Sequence, residues 1–393
     1  MLLFVWTIGI GILNGLDLVE FTRKQLLSHL HGGMLGWLTL GILGCTLWLF
    51  GDHPLGPRSK RYVEVCGVLA VAAVTGYVFA FATTFGVGRP LAGSLTLLSL
   101  VAFFSWAVSR VRYVTLTVPR LFMLVGLATS MLGGSFGVLN GLAIARDWSW
   151  VPTSFLDAHP ATMDIGFVLP IATGLAEWGL RRGQPEERAS RAGLVQAALM
   201  FIAFSLVLTF VLIEQEAMIG LATMLAVVGV VIFWVRLWPV GRRTSVLRRG
   251  PERHALMSGV FIAATLIYIT VALLRAPEGD PELMPDGQFL AFIHMLAIGS
   301  TTNALLAFVA WLSLRSARAN VLDDAVFWGV NSGVAGFATV LSLGYRTGIY
   351  IAVPVMGVAL LLAIALHSWR LGLWSTGAAA PKAALEGRET RTA

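Results

Sequence analysis

Twelve long apolar runs constrain this chain more than any other feature of its sequence. A helix needs about 20 apolar residues to cross ~30 Å of hydrocarbon. Backbone groups in lipid must be hydrogen-bonded internally, so runs of this length are helical. The sequence therefore predicts an all-α polytopic membrane protein with twelve transmembrane helices, at about 2–19, 28–50, 63–85, 91–109, 120–145, 155–180, 192–213, 217–238, 255–274, 288–313, 326–345 and 349–369.

The basic residues predict the orientation of these helices. All but six of the 28 Lys and Arg residues lie near the ends of even-numbered runs or in the segments after them; the exceptions are Arg23, Lys24, Arg89, Arg146, Arg275 and Arg346. Basic loops stay on the cytoplasmic side, so we expect both termini there, in a bacterial inner or plasma membrane. The net charge of +7 follows from this bias. No basic stripe interleaved with aromatic residues suggests a nucleic-acid partner.

A single transmembrane domain is expected over residues 1–372. The remaining segment, 373–393, is rich in Ala, Gly and charged residues, which is typical of a disordered tail. The first run lacks a basic leading segment and a small-residue cleavage site, so we interpret it as a retained first span.

Two histidines, His29 and His31, stand at the start of the second run. A histidine in a membrane span is costly without a partner, so it indicates a functional site. Residues i and i+2 of a helix point about 200° apart. The two imidazoles therefore face two different sites, or one of them has no part in a site.

Two further histidines recur at a similar depth. His159 opens the sixth run and His294 lies near the start of the tenth, each four runs after the last. Aligned on His31, these histidines predict three four-helix units around a pseudo-threefold axis. In that alignment the residues five positions further on are Gly36, Asp164 and Gly299.

Neutral imidazole is a common metal ligand and the usual axial ligand of haem iron. Helix bundles build such sites from inward side chains on facing helices, so all four histidines are candidate ligands of haem or a metal ion. Each could instead be a hydrogen-bonded histidine that holds helices together. Asp164 could accept a hydrogen bond from an imidazole, belong to a proton path, or cap a helix irregularity near Pro160.

The segment His29-Leu30-His31, followed by Gly36-Trp37, resembles the His-x-His, Gly, aromatic pattern of the NnrS family of haem- and copper-containing membrane proteins. In that family a later span carries a His with Gly five residues on, as His294 and Gly299 do here. The segment is also similar to the haem-bearing helix of cbb-type members of the haem-copper oxidase superfamily. That resemblance implies twelve spans in three pseudo-symmetric arcs, with haem toward the outer face.

The resemblance also implies a ligand set. A low-spin b-type haem would lie between the second and tenth spans, ligated by His29 or His31 and by His294. The other histidine of the second span would face a neighbouring pore, where His159 could complete a second haem or a metal site, for instance for copper. Arg346 would meet the haem propionates, although an arginine that anchors the membrane interface fits its position equally well.

Departures from the family pattern limit the expected activity. The seventh run has no histidine, whereas an oxidase carries a His-His copper pair there, and the tenth run has His294 alone. These absences argue against dioxygen reduction. The expected function is electron transfer or the handling of a diatomic gas such as nitric oxide, with an electron-donor protein or quinol as partner, and oxidoreductase activity stays open.

Two other functions fit the residues. A copper-binding or copper-transporting protein is one, because thioethers suit Cu(I) and a methionine follows each histidine closely, as Met34, Met163 and Met295. A secondary transporter that uses Asp164 is the other. Parallel repeats count against a transporter, since many transporters have inverted repeats.

Overall fold

The protein is entirely helical over the residues that the structure describes. The computed structural model describes residues 1–51, 55–83, 86–276, 283–315 and 317–373, and no strand occurs among them. Twelve helices in these ranges follow the predicted runs: α1 Leu2–Gly15, α2 Arg23–Phe50, α3 Pro57–Thr83, α4 Gly88–Tyr113, α5 Val118–Arg146, α6 154–180, α7 Arg191–Leu212, α8 Ile219–Gly241, α9 Glu252–Arg275, α10 Asp286–Ser313, α11 Val321–Ser342 and α12 Arg346–Arg370.

Ten of these twelve helices in the described ranges are long and apolar enough to cross a membrane. The other two are α1, which has 14 residues, and α6, which carries His159, Asp164 and Glu177 along its length. The prediction of an all-α polytopic membrane protein is thus confirmed. His53, residues 277–282 and the predicted tail beyond residue 373 lie outside the described residues.

The helices form a ring around a three-helix centre. Helices α2, α6 and α10 occupy this centre, where α10 packs against both α2 and α6. The apolar stretch of α10 is 72% buried, and α6 is buried along nearly its whole length from Thr162 to Leu180. The remaining helices pack in chain order around these three, and α12 returns to α1 and closes the ring.

Buried arginines mark one end of the bundle, which we call the arginine end. Arg236 of α8 makes a two-pronged ion pair with Glu177 of α6, at 2.6 and 2.9 Å. Arg370 of α12 pairs in the same way with Asp323 of α11, at 2.6 and 2.7 Å. Such charged pairs in fixed geometry are among the stronger hydrogen bonds. The first pair ties α8 to the central helix α6, and the second joins α12 to α11.

The central helices begin at the opposite end, the histidine end, and each contains a π-helical segment: Gly32–Thr39 in α2, Thr162–Val168 in α6 and Met295–Thr302 in α10. In α2 and α10, hydroxyls donate to carbonyls five residues earlier, as Thr39 does to Met34 at 2.9 Å and Thr302 to Ala297 at 2.9 Å. The π-helix is rare and occurs often at functional sites. All three segments lie just after the candidate histidines.

Candidate functional site

The histidine-bearing start of α2 is fixed by a capping box. The Gln25 backbone N–H donates to the Thr22 hydroxyl at 3.4 Å, and the Gln25 side chain accepts from the Thr22 backbone at 2.9 Å. A capping box satisfies donors that a helix start otherwise leaves unpaired. His29 and His31 therefore lie in the first turns of a helix whose starting point is defined.

Two of the four histidines are held by the preceding helix in the chain. His29 Nδ1 lies 2.7 Å from the carbonyl oxygen of Thr7 in α1, and His159 Nδ1 lies 2.8 Å from that of Gly133 in α5. A carbonyl can only accept, so Nδ1 carries the proton in both rings. Each ring also lies against a glycine of the same preceding helix, one turn beyond the carbonyl that it contacts. This glycine is Gly11 for His29 and Gly137 for His159.

The other two histidines are held by their own helices. His31 Nδ1 donates to the carbonyl of Leu27 and His294 Nδ1 to that of Leu290, both at 2.8 Å. Each of these rings also contacts an aromatic side chain of the next helix. Phe81 of α3 stacks on His31 with centroids 3.9 Å apart, and Phe337 of α11 meets His294 edge-on at 4.8 Å.

These bonds leave Nε2 as the free nitrogen of every candidate histidine. In the described part of the chain, the hydrogen bonds of all four rings are made by Nδ1 alone. A histidine that ligates a metal typically uses one ring nitrogen while the other N–H donates to a carbonyl or carboxylate. All four side chains thus have the tautomer that a ligand needs.

One pair of histidines shares a cavity. His29 and His294 both line a partly open cavity between α2 and α10, whose other walls come from α1, α11 and α12. The wall is mostly apolar, with side chains that include Phe4, Ile8, Met34, Leu38, Phe337, Val353, Met356 and Leu360.

The few polar groups of this cavity are already paired. The Trp37 indole N–H donates to the Thr302 hydroxyl at 3.0 Å, which joins α2 to α10 across the cavity wall. Thr7 donates its hydroxyl to the carbonyl of Leu3 at 3.0 Å. The two histidines therefore supply the free lone pairs of this cavity.

The other pair of candidate histidines, His31 and His159, does not line this cavity, and the His31 ring instead packs against α3. Tyr77 of α3 also contacts the His31 ring, with centroids 5.6 Å apart. Arg89, at the start of α4, lies over the Phe81 ring at 4.9 Å and donates to the carbonyls of Ala80 and Phe81. The two imidazoles of α2 thus face different neighbours, α1 for His29 and α3 for His31.

Asp164 and Arg346 are not brought to either histidine pair by a hydrogen bond. Asp164 is 7% exposed and makes no hydrogen bond or ion pair with the described residues. The acceptors of all four imidazoles are backbone carbonyls. Arg346 is exposed at the start of α12, beside Tyr350, which bonds to Asp17 at 2.8 Å. The first lining residue of α12, Val353, lies seven residues on, about 10 Å along the helix.

Two other histidines lie at the arginine end. His254 is 2.9 Å from the side-chain oxygen of Asn303, and His367 is 2.9 Å from the Ser313 hydroxyl. Both are buried. They are therefore hydrogen-bonded interior groups.

The π segments align the three central helices differently from the sequence-based alignment. With their first residues superposed, the matching positions are Gly36, Gly166 and Gly299, and twelve residues later Trp48, Trp178 and Trp311. His159 then corresponds to His29, and His294 to His31. A Gly-x11-Trp pattern is present once in each of these three helices, but it recurs at Gly357 and Trp369 of α12. Neither this pattern nor the spacing between histidines therefore identifies the alignment by itself.

The three tryptophans gather where the central helices approach one another near the arginine end. Trp311 lies 4.8 Å from Trp48 and 5.3 Å from Trp178 between ring centroids. Equivalent residues of three helices thus meet at one place, as they would around an axis.

Two histidines are a small set of protein ligands. Among the described residues, no group of three or more His, Cys, Asp or Glu side chains is placed to hold a metal ion. Structural zinc sites use four protein ligands and catalytic ones three, whereas haem iron takes one or two axial ligands from the protein.

No protein-family model matches this chain, and no curated protein matches it in sequence. Its function is therefore inferred from the geometry and chemistry of the site itself.

Proposed function

We propose that this protein is an integral membrane haem protein that holds a b-type haem between α2 and α10. Nε2 of His29 and Nε2 of His294 would be the two axial ligands. The observation that carries this proposal is the shared apolar cavity, lined by two histidines whose Nδ1 atoms donate to carbonyls. The chain has no Cys-x-x-Cys-His motif for covalent attachment.

Two histidine ligands favour electron transfer over gas handling at this site. A bound haem would supply one-electron redox chemistry. The residues of the protein hold the imidazoles in place, and the apolar wall keeps water from the site. Binding of nitric oxide or another diatomic gas would require one histidine to leave. We propose electron transfer as the function and gas handling as the alternative.

We further propose that all twelve helices cross the membrane as three pseudo-symmetric four-helix units, α1–α4, α5–α8 and α9–α12. The three π segments and the aligned Gly and Trp residues support this arrangement. The same arrangement supports a distant relationship to the haem-copper oxidase superfamily and the NnrS family, whose haem-bearing helix the α2 motif resembles.

The basic loops support a cytoplasmic arginine end. Both termini would then lie in the cytoplasm of a bacterium, and the histidine pairs would lie in the outer half of the membrane. An electron-donor protein or a quinol is the partner that such a site would require.

Spectroscopy of the purified protein tests the haem proposal. Protein made under haem-replete conditions should give low-spin b-type bands in reduced-minus-oxidised spectra and a haem b pyridine haemochrome. His294→Ala should abolish the low-spin signal of this site, whereas His367→Gln, at the arginine end, should retain it. Wild-type protein without haem bands would refute the proposal.

Copper binding is the second candidate, because Met34 and Met356 line the same cavity as His29 and His294. Two thioethers and two imidazoles are a suitable ligand set for Cu(I). Mass-spectrometric metal analysis that finds copper and no haem, with the copper lost in Met34→Leu, would favour the copper protein.

A further inference from the structure

Another partly open cavity, which we call the arginine-end cavity, lies at the arginine end of the bundle. Its wall includes Trp48, Trp178 and Trp311, the clustered tryptophans of the three central helices. The segment 181–190, which joins α6 to α7, forms much of the rest, and most of its residues are exposed to solvent. The cavity therefore connects the centre of the bundle with the solvent at this end.

The segment 181–190 is held against the start of α5 by specific bonds. Glu186 makes a two-pronged ion pair with Arg120, at 2.7 and 3.2 Å, and the side chain of Arg120 is only 1% exposed. The Ala189 backbone N–H donates to the carbonyl of Leu116 at 2.9 Å. These bonds give the wall of the cavity a defined conformation.

Arginines supply every positive charge of this wall, as Arg181, Arg182, Arg188 and Arg236. Two of them have a carboxylate partner of their own, because Arg236 pairs with Glu177 and Arg182 with Glu252. Arg181 shares Glu177 with Arg236, at 3.2 Å, and Arg188 makes no ion pair with the described residues. Arg181 and Arg188 can therefore still bind an anion.

The other carboxylates of the wall do not neutralise these two guanidiniums. Glu186 is bound by Arg120, and Glu187 is exposed to solvent, where its charge is screened. When Arg120 and Glu252 are included, five arginines and four glutamates surround the cavity. The site therefore has an excess of positive charge.

Buried donors around the cavity also outnumber their acceptors. The side chain of Arg236 is 8% exposed, and its Nε has no hydrogen-bond partner within the described ranges. The same is true of Nε of Arg182 and of Nε2 of Gln196, whose oxygen accepts from Arg236 at 2.5 Å. Buried polar groups are nearly always hydrogen-bonded. A cluster with surplus donors favours a ligand that supplies acceptors.

We propose that the arginine-end cavity binds a phosphate group, with the guanidiniums of Arg181 and Arg188 as its main contacts. The planar guanidinium matches the geometry of phosphate oxygens, and an indole N–H can only donate. Basic pockets between transmembrane helices bind lipid headgroups, and a water-soluble phosphate presents the same oxygens. The two sources of this group are therefore an anionic phospholipid and a free phosphate.

Titration calorimetry of inorganic phosphate into the detergent-purified protein tests the free phosphate. Wild type should bind saturably, and Arg181→Gln and Arg188→Gln should each bind about tenfold more weakly, as expected for loss of a charge-assisted hydrogen bond. Arg191→Gln is the matched control, because Arg191 is an exposed arginine of the same end that does not line the cavity. This variant should bind as wild type does.

Nanodiscs test the lipid headgroup. Phosphatidylglycerol added to phosphatidylcholine nanodiscs should raise the unfolding temperature of wild type and of Arg191→Gln, and raise it less in Arg188→Gln. Arg188 is exposed and lies outside the helices, so its substitution leaves the fold intact. A response to this lipid without binding of inorganic phosphate would identify the lipid as the source.

The proposal would be overturned if neither probe acted on wild type, or if Arg188→Gln and Arg191→Gln responded equally to the probe that binds. Neither measurement involves haem, and the cavity lies at the opposite end of the bundle from His29 and His294. Failure of the haem proposal would therefore leave the phosphate site unaffected.

Discussion

Gly11 of α1 lies directly against the imidazole of His29, such that a Cβ at this position would be 3.0 Å from Cε1. The ring is therefore confined between its hydrogen bond to the Thr7 carbonyl and the backbone of the same neighbouring helix. The orientation of the His29 ring is thus set by α1, a helix that contributes no histidine to the site.

Substitution of Gly11 should disturb the haem without removing a ligand. In Gly11→Ala the new methyl group pushes the His29 ring aside, and loss of such ligand support typically lowers affinity by about 10- to 100-fold. Haem titration of the apoprotein, monitored by absorbance, measures this change. Gly9→Ala is the matched control, because a Cβ there meets nothing within 4 Å. Equal affinities in the two variants would contradict the role given to Gly11.

Removal of one axial ligand should create a gas-binding site. In His294→Ala the haem that remains on His29 would have one open coordination position, so carbon monoxide should shift its reduced Soret band. Wild-type protein should show little shift, because both axial positions are taken by histidine. Imidazole added to the variant should restore the low-spin spectrum. A strong carbon monoxide shift in wild type would instead support gas handling.

The Arg370–Asp323 pair should contribute strongly to stability. Both side chains are largely buried, and removal of one partner of a buried ion pair costs about 3–5 kcal/mol. Arg370→Met should therefore lower the thermal unfolding temperature in detergent. The exposed pair Lys60–Glu64, 4.0 Å apart, is the control. Such surface pairs contribute about 0–1 kcal/mol, so Lys60→Met should cause little change. A similar decrease in the unfolding temperature of both variants would contradict the stabilising role given to the Arg370–Asp323 pair.

The aligned glycines should tolerate no side chain. A Cβ at Gly299 would lie 2.5 Å from the Phe261 ring of α9, and one at Gly36 would lie 2.6 Å from Leu3 of α1. Overpacking of this kind costs about 1–3 kcal/mol. Gly299→Ala should lower the unfolding temperature, and Phe261→Leu should partly restore it. Gly76→Ala, with open space around the position, should have no such effect.

The positions of the helices could be predicted from sequence, because each apolar run reflects a physical requirement for crossing lipid. Which of His29 and His31 lies with His294 could not be predicted. It depends on which carbonyl each ring reaches, Thr7 in α1 or Leu27 in its own helix, and helix packing is not encoded in residue spacing.

The alignment of the three units also needed the structure. A π segment widens the turns of a helix and leaves no mark in hydropathy, so spacing between histidines placed Asp164 where the structure places Gly166. The expected contact between Arg346 and the site was predicted from its position in a loop alone. In the structure, Arg346 is the first residue of α12 and its side chain is exposed. It lies about two helical turns from Val353, the first residue of α12 that lines the cavity.

Electron paramagnetic resonance of the oxidised protein tests the central claim most directly, because it reports the axial ligands of the haem. We predict a low-spin ferric signal characteristic of two imidazole ligands, lost in His29→Ala and in His294→Ala. A low-spin signal that survives both substitutions, or a high-spin signal alone in the wild type, would contradict the assignment of these two histidines as the axial ligands.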